Sequence, residues 1–454
     1  MTTTSAEPGA GHVTARPRRA AVASFVGSAL EYYDFFIYGT AAALVFNKIF
    51  FTAADPATGT LLALATFGVG YVARPIGAFF MGHIGDKYGR KTILIFTLTL
   101  MGAATFLVGC LPTYGQIGVW APILLVALRL LQGFSASGEQ AGANSLTLEH
   151  APEHRRSFFT SFTLSGTQAG LILASAVWIP ISSLPQDQLL SWGWRIPFYL
   201  GLVVMIVGYL IRRTLDETPA FTEEKEQNTV AKLPLAELFR HNWADVLKVA
   251  LSSLVSTVST VFGVFALSFA TNTVGVDKSA MLWLSVTAAA VALVSITAWA
   301  ALADRIGRKK VYIFGVLGSG ILMFPYLASV SSGQVPLIFL FGILMSGIVY
   351  HAQNGVFPAL YGEQFSTQVR LSGTAIGTQI GFAIAGFMPS LAAGISPASP
   401  DGWVPAAALT LTCCVVAALA TLGMRETYRT PLRELGGTGR PEKLGASTKT
   451  GRSA

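Results

Sequence analysis

Twelve apolar runs, each close to the ~20 residues an α-helix needs to cross a ~30 Å hydrocarbon core, leave this chain few folds to choose from. Inside lipid, a spanning segment has to bond its own backbone N–H and C=O groups, so such runs become helices. The spans read from the sequence are 20–46, 60–82, 92–112, 120–148, 157–181, 195–213, 244–270, 280–302, 311–330, 336–362, 372–395 and 405–424. Composition agrees, with 52% hydrophobic and only 12% charged residues, against about a quarter charged in soluble domains.

The net charge of +8 does not point to nucleic acid, because the cations sit in short loops between apolar runs. With the N-terminus in the cytoplasm, the loops on that side collect Arg16, Arg18, Arg19, Lys87, Arg90, Lys91, Arg155, Arg156, Arg212, Arg213, Arg305, Arg308, Lys309, Lys310 and Arg370. The opposite loops hold Lys48, Arg195 and Lys278, so the positive-inside rule places both termini in the cytoplasm. No cleavable signal peptide is visible, and the first apolar run is expected to stay as the first membrane helix. Cys110, Cys413 and Cys414 fall within apolar segments and are read as structural.

The chain divides into a disordered cytoplasmic tail (1–19), a six-helix half (20–213), a cytoplasmic linker (214–243), a second six-helix half (244–424) and a cytoplasmic C-terminal tail (425–454). Three echoes relate the halves. Gly85-Asp86-Lys87-Tyr88-Gly89-Arg90-Lys91 is answered by Ala303-Asp304-Arg305-Ile306-Gly307-Arg308-Lys309-Lys310. Glu149 precedes Arg156 by seven residues, as Glu363 precedes Arg370, and Asp216-Glu217-Thr218 is answered by Arg425-Glu426-Thr427. The expected fold is therefore an all-α membrane protein with twelve transmembrane helices in two six-helix pseudo-repeats.

Ionisable side chains inside spans are costly and mark candidate functional sites. In helix 1, Glu31 and Asp34 are three apart and share a face, roughly 16 to 21 Å above the inner end at ~1.5 Å per residue. Arg129 in helix 4 lies about 14 Å from the outer end by the same rise, so the levels match. We expect Arg129 to pair with Asp34 or Glu31, and protonation of the carboxylate to release the pair. Arg74 in helix 2 can grip a carboxylate through two parallel hydrogen bonds. Tyr38, Gln132, Gln168, Tyr350, Gln353, Asn354 and Gln379 join it as substrate-binding candidates, and His351 stands beside Tyr350. Glu139 is placed toward the inner end of helix 4.

Gly85, Asp86, Gly89, Arg90, Glu149, Asp304, Arg308 and Glu363 are expected to form a cytoplasmic gate. The acids would accept from backbone amides at helix starts, the arginines would reach the glutamates, and the glycines would allow a sharp turn. No Walker loop, metal-spaced His/Cys cluster or nucleophile motif is present, so neither enzymatic activity nor a metal or cofactor is expected.

Twelve spans in two halves, with GDKYGRK after helix 2 and ADRIGRKK after helix 8, resemble the major facilitator superfamily. Glu31-Tyr32-Tyr33-Asp34-Phe35, Ala73-Arg74-Pro75-Ile76-Gly77, Arg129-Leu130-Leu131-Gln132-Gly133-Phe134-Ser135, Trp194-Arg195-Ile196-Pro197-Phe198 and Glu217-Thr218-Pro219 are similar to its metabolite:proton symporter branch. That branch includes shikimate, 2-oxoglutarate, citrate and proline/betaine carriers. The resemblance implies a monomeric carrier in the bacterial cytoplasmic membrane that alternates access and takes up a small organic anion with protons. An osmolyte symporter is the alternative reading, as is an exporter or sodium-coupled carrier on the same fold. The tail from Leu435 to Ala454 shows no heptads, which argues against osmosensing.

Overall fold

The computed structural model describes residues 17–88, 90–137, 140, 143–144, 147–148, 151–213, 240, 242–365 and 370–431, without the side chains of 17–20, 23, 78–79, 81–88, 90–95, 211–213 and 371. The first half contains α1 (Pro17–Ala41, continued by a π turn Ala42–Phe46), α2 (Pro56–Tyr88), α3 (Arg90–Cys110), α4 (Trp120–Ser135), α5 (Arg156–Ser182) and α6 (Ile196–Arg213). The second contains α7 (Trp243–Val274), α8 (Lys278–Ile306), α9 (Arg308–Ser331), α10 (Val335–Gly362), α11 (Arg370–Ile395) and α12 (Val404–Leu422). Among the described residues nine helices have the length and apolarity to cross a membrane; α3 and α4 add the shorter apolar stretches Phe96–Cys110 and Trp120–Ser135.

Several boundaries differ from the sequence reading. The fourth span was expected to run on to 148, but a turn at Ala136 and Ser137 ends the continuous helix at Ser135. Gly85, expected in a sharp turn, instead lies inside α2, which continues to Tyr88. In the second half the turn falls on Gly307, whose φ of 104° suits a residue without Cβ. Gly89 and Glu149 lie outside the described residues, as do Glu139 and the side chains of Asp86 and Arg90.

Without a hydrophobic drive between helices in lipid, small residues set how closely they pack. A Cβ on Gly166 would lie 2.2 Å from the Phe25 carbonyl oxygen, and one on Gly170 2.6 Å from that of Ala29, so α5 rests directly on the backbone of α1. Gly377 and Gly381 of α11 repeat the arrangement on α7, with would-be Cβ atoms 3.1 Å from the Val246 oxygen and 2.4 Å from the Ala250 oxygen. The four-residue glycine step recurs at the same place in both halves.

The halves meet along two helix pairs, α5 with α8 and α2 with α11. Under the pseudo-repeat these pairs are counterparts, since α5 corresponds to α11 and α2 to α8. Between them lies the axis of the molecule, and the candidate site with it.

Candidate functional site

The site is built from two neighbouring compartments. One is a cavity between the halves. Gln140, Thr167 and Gln168 line it from the first half, and Ser253, Ser256, Ser259, Gln353 and Asn354 from the second. Tyr32, Phe36, Tyr71, Tyr350, Phe357, Tyr361 and Phe382 form its aromatic walls. Among the described residues no charged side chain lines it. Gln353 donates to the Asn354 amide oxygen at 2.7 Å, and the Asn354 amide nitrogen lies 2.9 Å from His351 Nδ1. This ordered chain leaves the buried Gln353 Oε1 without a protein partner among the described residues.

The second compartment lies inside the first half and is lined by Asp34, Phe35, Arg74, Met101, Arg129 and Gln132. Its charges are paired differently from the sequence expectation. Arg74 Nη2, rather than Arg129, approaches Glu31, at 3.6 Å from Oε1. The Arg74 guanidinium lies 4.9 Å from the ring centres of both Phe35 and Tyr71. Arg129 forms no ion pair among the described residues. It sits 4.1 Å over Tyr38 and 4.5 Å over Phe35, and donates to Gln132 Oε1 at 3.2 Å. Aromatic faces attract a guanidinium through their quadrupoles, which compensates part of its lost hydration. Gly70 provides room, since a Cβ there would lie 2.6 Å from Arg129 Nε. Gln132 in turn donates to Thr105 at 2.8 Å. Asp34 lines this compartment with Arg74 and Arg129 and also reaches α6, where a Cβ on Gly201 would come within 3.2 Å of its Oδ1.

The substrate-binding candidates therefore separate. Gln168, Tyr350, Gln353 and Asn354 line the central cavity, whereas Arg74 and Gln132 line the charged compartment behind it. Tyr38 packs on Arg129, and Gln379 is buried but lines neither compartment. Tyr71 belongs to both places: its ring walls the cavity and stacks on Arg74. It also meets the second half, because a Cβ on Gly386 would lie 2.3 Å from the Tyr71 ring.

A third cluster joins the halves at the end where α8 turns into α9. Asp304 accepts from the backbone N–H of Ser157 at 3.1 Å and of Phe158 at 3.0 Å, in the first turn of α5. Those amides have no partner within their own helix, and the helix dipole favours an anion there. Arg308 binds Glu363, lies 3.3 Å from Asp304 and donates to the Ser157 hydroxyl at 2.9 Å. Arg156 reaches Glu363 at 3.0 Å from the opposite half. Burial raises the Glu363 carboxyl above its ordinary value, against the pull of Arg308 and Arg156. Glu426 caps α9, accepting from the N–H groups of Arg308 and Lys309 at 3.1 and 3.0 Å. At the other end of the molecule the halves are joined by hydrogen bonds, with no ion pair between them among the described residues: Asn272 donates to the Ala43 carbonyl at 3.2 Å, Ser390 to that of Leu61 at 3.1 Å, and the exposed Lys278 to the Gln186 amide oxygen at 3.2 Å.

Sequence reading passed over Tyr71, the cavity serines and the capping role of Glu426. Spacing held part of the signal. Tyr32 and Phe36 are four apart on α1, and Ser253, Ser256 and Ser259 recur every third residue, so each set occupies one face. Glu426 was visible as part of the third repeat echo, but not as a cap.

Residues 20–258 match the family described as Sugar (and other) transporter, and residues 249–450 match the Major Facilitator Superfamily. The Shikimate transporter of Escherichia coli (strain K12) is 37% identical over 419 residues, covering 91% of this chain and 96% of that protein. The Glycine betaine/proline/ectoine/pipecolic acid transporter OusA of Dickeya dadantii (strain 3937) is 34% identical over 430 residues, covering 92% of this chain and 85% of that protein. The xylose transporter XylE from E. coli, in its inward open conformation, has a TM-score of 0.69 at 18% identity over 92% of this chain and 99% of that one, a likeness of fold alone. These relatives are transporters and not enzymes. On this evidence the chain belongs to the major facilitator superfamily, within the metabolite:proton symporter branch that holds shikimate and proline/betaine transporters.

Proposed function

We propose that this transporter couples protons to the import of a small hydroxylated organic acid, of the shikimate type, by alternating access. The observation that carries the reading is a cavity between the halves lined, among the described residues, by amides, hydroxyls and aromatic rings without a charge, with Tyr71 between it and a compartment holding Asp34, Arg74 and Arg129. A hydroxylated ring matches such a lining, since each hydroxyl can both donate and accept while the ring face stacks on an aromatic wall. Glu31, Asp34 and Arg129 carry the proton side of the cycle. Asp304, Arg308 and Glu363 hold the cytoplasmic end, with Gly85, Asp86, Gly89, Arg90 and Glu149 as their counterparts in the repeat. Both termini face the cytoplasm, and residues 20–213 and 244–424 rock as two bodies joined by 214–243.

The same aromatic walls favour a second reading. A quaternary ammonium group is attracted to aromatic faces, so a betaine-type osmolyte also suits the cavity.

Uptake into proteoliposomes with an imposed inside-alkaline pH gradient tests both readings, using labelled shikimate and labelled glycine betaine. Shikimate accumulation that collapses on adding a protonophore supports the organic-acid reading. Accumulation of betaine alone replaces it with the osmolyte reading. Uptake of either solute that ignores the pH gradient removes proton coupling.

A further inference from the structure

The central cavity contains no charged side chain among the described residues, yet both solute classes just considered carry a carboxylate. A fixed cation lies one ring away. Arg74 is buried behind Tyr71, and only its Nη2 approaches Glu31, at 3.6 Å. Among the described residues its buried Nε and Nη1 have no hydrogen-bond acceptor. A guanidinium in that state has donors to spare, and a carboxylate can take two of them in parallel.

We propose that Arg74 is a shared anion site at which the substrate carboxylate replaces Glu31, and that Tyr71 is the partition that moves to admit it. This rests on the proposed proton-coupled carriage of a carboxylate. In the empty transporter, ionised Glu31 neutralises Arg74 across the 3.6 Å contact. Substrate entering the cavity brings a second carboxylate to the same guanidinium. Two carboxylates sharing one cation repel, so one of them takes up a proton. Glu31 is the one that does so: it is buried, whereas the substrate exchanges Tyr71's ring face for a bidentate bond. One proton enters from the aqueous side to which the cavity opens, and it leaves when the substrate departs and Glu31 returns to Arg74. Substrate and proton therefore bind as a pair, which is the thermodynamic requirement for symport.

Among the described residues, three helices bring charged or titratable groups to the neighbourhood of Glu31. Tyr32 and Asp34 lie on its own helix, Arg74 and Tyr71 come from α2, and Arg129 from α4. The length of α5 that packs along α1 carries no Asp, Glu, Lys, Arg or His beyond Arg156. Asp34 and Arg129 line the same compartment as Arg74, but among the described residues Glu31 is the carboxylate within ion-pair reach of the Arg74 guanidinium.

The decisive measurement uses the wild-type transporter in detergent and a weakly buffered solution. Shikimate and glycine betaine are added separately, and proton uptake is recorded alongside binding. The expected result is about one proton taken up per carboxylate bound, with Kd rising about tenfold per pH unit on the alkaline side. The methyl ester of shikimate, which has no charge, should bind without proton uptake. A Glu31→Gln variant should bind the acid with a flat pH profile, keep substrate exchange and lose accumulation driven by the pH gradient. Binding of the acid without proton uptake in the wild type overturns the inference while leaving the transport reading intact, and so does an unchanged pH profile in the glutamine variant. Absence of binding by both solutes overturns the reading and this inference together.

Discussion

At the scale of single residues, the arginine most open to function is the one with the least complete set of partners. Arg129 is surrounded by Tyr38, Phe35, Gln132 and the Phe67 carbonyl, and Arg308 by Glu363, Asp304 and Ser157. Arg74 has one carboxylate at 3.6 Å and two stacked rings. Lysine at this position would keep the charge but lose the planar fork and the stacking. Arg74→Lys should therefore weaken binding of a carboxylate substrate about ten- to a hundredfold, the equivalent of one charge-assisted hydrogen bond. Equilibrium binding to the purified variant checks this, and an affinity within twofold of wild type would remove Arg74 from the binding site. The level of each charge along its helix was legible from residue counts, because the rise per residue is constant. Azimuth was not. Glu31 and Asp34 share one broad face of α1 and both lie near Arg74 and Arg129, and only the packed structure determines that Arg74 meets Glu31.

At the scale of helices, close packing rests on where Cβ is missing. An alanine at Gly166 would place a methyl group 2.2 Å from a carbonyl oxygen of α1, where no side-chain rotation can relieve it. Gly115 meets nothing within 4 Å. Gly166→Ala should cost about 1–3 kcal/mol through forced separation of α1 and α5, while Gly115→Ala should be close to neutral. Thermal unfolding of the two variants in the same detergent makes the comparison, and equal melting temperatures would contradict the packing argument. The helices themselves were readable from apolar length, but their interruptions were not. The π turns Ala42–Phe46 in α1, and Val261–Phe265 and Ala270–Val274 in α7, occur toward the C-terminal ends of helices that correspond under the repeat, and a further π segment, Ile343–Val349, lies in α10. A π turn adds one residue to a helical turn without requiring Pro or Gly, so the apolar pattern carries no sign of it.

At the scale of the whole molecule, the two ends are joined by different chemistry. One end uses ionised groups: Asp304 on the first turn of α5, and Glu363 between Arg308 and Arg156. The other has no ion pair between the halves among the described residues and uses the neutral hydrogen bonds Asn272 to Ala43 and Ser390 to Leu61, with an exposed Lys278 on Gln186. A transporter that opens alternately has to break each set in turn, so weakening one set shifts the population toward the state open at that end. Asp304→Asn removes the charge facing two helix-start amides, a loss of about 1–3 kcal/mol that corresponds to a 5- to 150-fold shift. Asn272→Ala removes one neutral bond, about 0.5–1.5 kcal/mol, and should shift the opposite opening about two- to tenfold. A single cysteine at Ser256 on the cavity wall, in a background with Cys110, Cys413 and Cys414 replaced by alanine, reports both openings through its reaction with a membrane-impermeant maleimide. In the proposed orientation, Asp304→Asn should speed labelling in inside-out vesicles and Asn272→Ala in right-side-out vesicles. A reversal of both sides would invert the orientation but keep the mechanism, whereas acceleration on the same side for both variants would mean that the two joins do not oppose one another.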